Sequence, residues 1–357
     1  MKSVKRYMTR NALTFVALVA VAATAVVFIG LTYADSNSIN FEAPTYSTGS
    51  IQGQNGWGGE TPPGIPINPG IDQAIVANGF GAPASFGGQS WRLSNTFTSG
   101  SFGDMPFSPS LSNEAGETLA QNSNGVFALS GGSRKSHFEA QFSFASADPT
   151  GATDNDSYFS TSPDRGDGAR MSYIRLEDRP SGIDVFFDDY VDAAPYGTLA
   201  NPSAGCGVED DFTDIQVASG LSRNVPHSVK LAIDFVDGAR NDVVKVYIDG
   251  TLVYTGTTWE DYFRWCTESG GGLPNDAAAD QSRTVDSMLF RVGGATGVTH
   301  PLNLGKGFLI DNLSYASART TTSANQCKNG GWPNFTRADG SAFKNQGDCI
   351  QYANTGK

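Results

Sequence analysis

Arg175-Leu-Glu177-Asp-Arg179 is the stretch whose residue types and spacing most directly suggest chemistry. Two guanidinium groups flank a carboxylate at two-residue intervals, and on a strand such residues share one face. Tyr173 continues that face, while Ile174 and Leu176 occupy the other. Pro180-Ser181-Gly182 is short enough to turn the chain back, which would set Phe186, Asp188 and Tyr190 alongside. Planar rings stack on the C–H faces of sugars, and forked polar groups hold hydroxyls. Tyr173, Arg175, Glu177, Phe186, Asp188 and Tyr190 are therefore expected to form one carbohydrate-binding patch. The blander reading is a ladder of exposed ion pairs, with the rings packed under a loop or a second sheet.

Other clusters invite chemistry less directly. Asp148, Asp154, Asp156, Asp164 and Asp167 crowd one glycine-containing stretch, and Asp237, Asn241 and Asp242 another. Hard oxygen ligands in loops suit calcium, so Asp154, Asp156, Asp164 and Asp167 form the candidate metal set; the alternative is a solvated acidic loop. Neither stretch has the spacing of a twelve-residue EF-hand loop. Trp259-Glu-Asp-Tyr-Phe263-Arg-Trp265 either presents stacking platforms or forms a small core beside Cys266. His137, His227 and His300 accompany no Gly-x-Ser-x-Gly nucleophile signature.

Strands are the elements that must position these groups. His137 to Phe144 places Phe138, Ala140, Phe142 and Phe144 on one face and His137, Glu139, Gln141 and Ser143 on the other. Ser228 to Phe235 and Gly182 to Tyr190 alternate likewise, the pattern of a sheet with one buried face. Val243 to Ile248, Asp249-Gly250 and Thr251 to Thr255 read as a two-residue hairpin, because glycine takes the positive φ of such a turn. Further strands are expected near Ile39–Phe41, Ser90–Ser94, Ala169–Leu176, Ser287–Val292 and Phe308–Tyr315. No window carries a helical apolar stripe. About ten strands over ~280 residues need two packed sheets, so the expected fold is all-β, a two-sheet antiparallel jelly-roll sandwich.

The hairpin Val244-Lys-Val-Tyr-Ile-Asp-Gly-Thr-Leu-Val253 resembles that of concanavalin A-like and laminin G-like domains. Gly307-Phe-Leu-Ile-Asp311-Asn312-Leu resembles the closing strand of that fold, which pairs near an opening strand such as Ile39-Asn-Phe41-Glu42. The resemblance spans Ser38 to Ala316 and implies the sandwich more than any one activity. Glucanases of that fold carry two carboxylates on one strand, as Glu-x-Asp-x-x-Glu, which is absent here; Glu209-Asp210-Asp211 is consecutive. Arg175-x-Glu-x-Arg179 resembles a strand of jelly-roll alginate lyases, which implies an arginine neutralising a uronate carboxylate. The Gln-x-His strand and Tyr-rich closing strand of those enzymes are not present in that form.

The flanks indicate compartment. Lys2 to Arg10 is basic, Ala12 to Tyr33 is uncharged and mostly apolar, and Thr32 and Ala34 give a small-x-small end. Residues 1–34 read as a signal peptide cleaved after Ala34 or as an N-terminal anchor. Either places the rest outside the cytoplasm, with no membrane contact beyond the leader. Four cysteines in an exported chain suggest two disulfides, with three ways to pair; the simplest is Cys206–Cys266 and Cys327–Cys349. The sandwich is assigned to 35–318, a linker to 319–325, and a disulfide-closed module to 326–357, which resembles a short tail of secreted bacterial proteins.

Composition agrees. The 357 residues include 42 Gly and 17 Pro, and the net charge is −12. Losing Lys2, Lys5, Arg6 and Arg10 with the leader widens the acidic excess. Such a surface repels phosphate backbones, so nucleic acid is not an expected partner. The leading expectation is an exported lectin-like protein whose partner is extracellular glycan, with calcium as the candidate cofactor. A polysaccharide lyase or glycoside hydrolase on the same fold stays open, the lyase using Arg175, Glu177 and a tyrosine or histidine. A structural or adhesion protein without a glycan site stays open too.

Overall fold

The computed structural model describes residues 35–59, 71–79, 82–98, 105–117, 134–148, 157–165, 170–190, 212–236, 241–260, 262, 283–293, 297–298, 300–319, 324, 326–337 and 341–355. Thirteen described strands have five or more residues. They are β1 (Asp35–Ile39), β2 (Asp72–Ala77), β3 (Gln89–Ser94), β4 (His137–Ser146), β5 (Ser157–Asp164), β6 (Ile174–Arg179) and β7 (Gly182–Tyr190). β8 (Phe212–Leu221), β9 (His227–Asp234), β10 (Val243–Ile248), β11 (Thr251–Gly256), β12 (Ser287–Val292) and β13 (Phe308–Ala318) complete the set.

The strands form a two-sheet antiparallel jelly-roll sandwich, as the alternation predicts. The first sheet runs β11-β10-β9-β4-β13-β3-β2, with β1 sharing an edge of β13 with β3. The second runs β8-β7-β6-β5-β12 and continues through the short strands Pro106–Phe107 and Gly58–Gly59. Their inner faces meet in one aromatic core. Phe142 of the first sheet lies 6.1 Å from Phe159 and 5.9 Å from Phe290 of the second, and Trp91 lies 4.8 Å from Phe290, edge-on.

The Asp249-Gly250 hairpin forms as expected: Ile248 pairs with Thr251, with φ of 49° at Asp249 and 77° at Gly250. Both angles are positive, as the turn whose twist matches its strands requires. The Pro180-Ser181 turn also forms, with Arg179 paired to Gly182.

Several expectations shift. The opening strand is Asp35–Ile39 rather than Ile39–Phe41, because Phe41 turns out of the sheet at φ 57° while burying its ring. β6 begins at Ile174 and runs to Arg179. His137 and Glu139, expected on a solvated face, are buried. They are held by ion pairs instead: His137 Nδ1 to Asp234 (2.7 Å), His137 Nε2 to Glu139 (3.4 Å) and Lys230 to Glu139 (2.8 Å).

Beyond the sandwich, Cys327 and Cys349 form the expected disulfide around a small cluster with Phe343. The helix α1 (Gln346–Thr355) closes that cluster, although its sequence lacks an apolar stripe. Asn345 caps it by accepting from the Asp348 N–H at 2.9 Å. Cys206 and Cys266 lie outside the described residues. Among the described residues no helix is long and apolar enough to cross a membrane.

Candidate functional site

Strand register arranges the outward face of the second sheet into rows. Ile183, Val185 and Phe187 of β7, Ile174 and Leu176 of β6, and Phe159 of β5 point into the core. The alternate residues therefore face outward. Arg175 pairs with Phe186 and Ser160; Phe186 pairs onward to Gln216, and Ser160 to Arg291. One row is thus Gln216, Phe186, Arg175, Ser160, Arg291. The row beside it contains Asp214, Asp188, Tyr173, Ser162 and Leu289, since Asp188 N–H donates to the Tyr173 carbonyl (3.0 Å) and Thr161 pairs with Ile174. On the other side lie Asp184, Glu177, Tyr158 and Gly293, with Tyr158 reaching over Gly293, where a Cβ would collide with its hydroxyl.

The sequence-derived patch is brought together with one exception. Tyr173, Arg175, Glu177, Phe186 and Asp188 share the outward face. Tyr190 keeps its parity but is only 3% exposed, packed 4.7 Å from Phe212 and 5.6 Å from Tyr262. It supports the face rather than offering an open ring. Trp259 is 5% exposed; its ring stacks on Tyr173 at 5.7 Å and 16°, and its indole N–H donates to the Asp188 carbonyl at 2.8 Å. That loop is a small core at the end of the face, and Phe263 to Trp265 lie outside the described residues. Arg170 lies 5.6 Å over the same indole, and burial lowers its pKa.

The Arg-x-Glu-x-Arg motif forms a ladder. Arg175 Nε donates to Glu177 at 2.6 Å, its Nη2 pairs with Asp214, and Arg179 pairs with the second Glu177 oxygen. The Arg175 guanidinium also sits 4.8 Å over the Phe186 ring. A fork so occupied orders the face, and it would have to exchange partners to grip a sugar carboxylate. Burial, and then Asp214, pushes the Asp188 carboxyl up to about 6, against the opposing pull of Arg175 and Arg170. Burial also raises the pKa of the Tyr158 hydroxyl.

Of the metal set, Asp154, Asp156 and Asp167 lie outside the described residues, as does Asp237. Asp164 is fully buried, and its carbonyl accepts from Asp286 N–H and the Ser287 hydroxyl. Asp242 is not in a solvated loop: it is buried, accepting from Val236 N–H (2.7 Å) and the Thr258 hydroxyl (2.8 Å). Burial and the neighbouring Glu260 raise its pKa well above the usual carboxylate range. Among the described residues no group of three or more His, Cys, Asp or Glu is placed to hold a metal ion.

Tyr158, Ser160, Ser162, Asp214, Arg170 and Arg291 were not legible as site residues. Their placement follows from pairing partners far away in sequence, and β5 and β8 are too polar to read as strands. No family model matches the chain, and no curated protein matches it. Among solved structures, a variant of alginate lyase Aly36B in complex with an alginate trisaccharide aligns over 80% of this chain and 99% of its own, at 14% identity and a TM-score of 0.41. Peanut lectin aligns over 80% and 98%, at 11% and 0.34. The carbohydrate binding module CBM66 from Bacillus subtilis aligns over 75% and 100%, at 10% and 0.31. These likenesses are too distant to assign any residue a role.

Proposed function

We propose that the outward face of the second sheet binds extracellular polysaccharide and that the chain is an exported, lectin-like sandwich. One observation carries this reading: in a chain of net charge −12, register gathers Arg175, Arg291, Phe186, Tyr158 and Tyr173 on a single sheet face. Rings supply stacking surfaces, guanidinium and carboxyl groups supply directional hydrogen bonds, and the β-scaffold fixes both. The ladder through Arg175 supports it, because a preordered polar surface loses less entropy on binding.

A glycan array probed with the purified sandwich and module, followed by calorimetry on each hit, tests this. Phe186→Ala is expected to weaken binding of a confirmed glycan about tenfold while the fold survives, since its ring lies outside the core. Unchanged affinity in Phe186→Ala and in Arg291→Ala would move the site off this face.

A further inference from the structure

The charges on the outward face of the second sheet answer one another. Glu177, Asp184, Asp188 and Asp214 project from it, Glu177 paired across to Asp184 and Asp188 to Asp214. Among the described residues, these four carboxyl groups meet four guanidinium groups: Arg175, Arg179 and Arg291 on the strands, and Arg170 at the Trp259 end. Arg175 Nε donates to Glu177 at 2.6 Å and its Nη2 to Asp214, while Arg179 takes the other Glu177 oxygen. Asp184 accepts from the Gly220 N–H at 2.8 Å. Arg170 lies over the Trp259 indole, and Arg291 is engaged as well. The described face thus carries no surplus of positive charge, in a chain of net charge −12.

Asp188 reports how this surface treats one more carboxylate. Arg175 and Arg170 lie near it, yet burial, and after it Asp214, pushes its pKa up to about 6. A uronate laid along the same row meets the same burial and the same carboxylates. To gain the Arg175 fork it must displace Glu177 or Asp214, and the displaced carboxylate stays beside it on its strand. A neutral sugar meets no such repulsion. Its hydroxyls donate to carboxylate oxygens, which have lone pairs beyond those taken by the arginines, and accept from guanidinium N–H groups.

Building on the glycan-binding reading of this face, we infer that it takes neutral polysaccharide, and that Asp214 and Glu177 reject uronate chains by holding Arg175. Discrimination of this kind comes from a repulsive element set against the wrong ligand rather than from an extra contact with the right one. It runs opposite to what the Arg175-x-Glu-x-Arg179 motif implies by resemblance. The guanidinium that would neutralise a uronate is neutralised by its own chain, from Glu177 on the same strand and from Asp214 on the edge strand.

Retention is measured on affinity gels of laminarin, arabinoxylan and galactomannan, all neutral, and of alginate and polygalacturonate. The wild-type chain and two variants are run at about 50 mM and about 500 mM NaCl, with melting curves to confirm folding. The wild type is expected to hold one neutral polymer at least about tenfold more tightly than either uronate polymer, with little change between the two salts. Asp214→Asn keeps the shape of the side chain and removes its charge, so Arg175 gains a surplus. The ratio of uronate to neutral retention should then rise about tenfold or more at low salt and fall back at high salt. Asp214 is exposed on the edge strand, which keeps its variant readable if the more buried Glu177→Gln fails to fold. Wild-type retention of a uronate polymer as tight as that of the neutral ones, or a ratio unmoved in a folded Asp214→Asn, would overturn the inference and leave the binding reading standing. No wild-type retention on any of the gels would overturn both.

Discussion

Ionisable side chains on the two outward faces are engaged in different ways. Burial alone would depress the pKa of His137, but its bonds to Asp234 and Glu139 outweigh burial and raise it to about 9. A histidine whose folded pKa lies above its unfolded value of about 6.5 contributes stability fully below that value. The contribution is lost as pH climbs through about 9. The wild type is therefore expected to lose more stability between about pH 6.5 and about 9 than His137→Gln, measured by denaturant melts across that window. Parallel curves would show that the imidazole carries no charge in the fold. At the other outward face, Tyr190→Ala should cost about 3–5 kcal/mol, as for other large aromatics truncated in a core. A melting temperature unchanged by that substitution would mean that the ring is not packed as described.

Turns and close strand contacts decide what the elements can present. Gly250 at φ 77° sits where a β-branched side chain is strained. Gly250→Val should destabilise by roughly 1–2 kcal/mol, read from denaturant melts, without touching the outward face of the second sheet. Gly293 is small for a different reason: a Cβ there would collide with the Tyr158 ring. Gly293→Ala should push Tyr158 aside and weaken binding of a confirmed glycan more than it lowers the melting temperature. If both properties shift in proportion, the glycine serves packing alone. The loop bearing Trp259 is held from behind by Glu260, which accepts from Asn241 N–H (2.8 Å) and Asp242 N–H (3.2 Å).

At the scale of the whole molecule, the sandwich and the terminal module rest on separate clusters. Phe142 and Phe290 bridge the sheets, whereas Cys327, Cys349 and Phe343 form their own group. The disulfide spans a sequence separation of 22 residues. In the chain-entropy model such a loop is worth about 3 kcal/mol. The double substitution Cys327→Ser with Cys349→Ser should melt the helix Gln346–Thr355 and leave the sandwich transition in place. A single transition lowered as a whole would show the two parts folding together. Thr336 N–H donates to the carbonyl of Arg319, the residue that follows β13, at 2.9 Å, which ties the module back to the start of the linker.

Period-two alternation determined β4, β7 and β9 because each carries its apolar residues on one face, and a side chain's face depends only on parity along its own strand. Asp249-Gly250 determined its hairpin because the turn needs positive φ at both positions. The same parity put Tyr173, Arg175, Glu177, Phe186 and Asp188 on one face. It could not tell an open ring from a packed one, so Tyr190 reads like Phe186 although Phe212 and Tyr262 cover it. Nor could it find β5, whose Ser, Thr and Pro carry little apolar signal, or the edge strand β8. Which residues stand opposite one another is a matter of register between distant segments, set by the burial of two whole sheets at once. Only that tertiary pairing brought Asp214 to Asp188 and Ser162 into the same row.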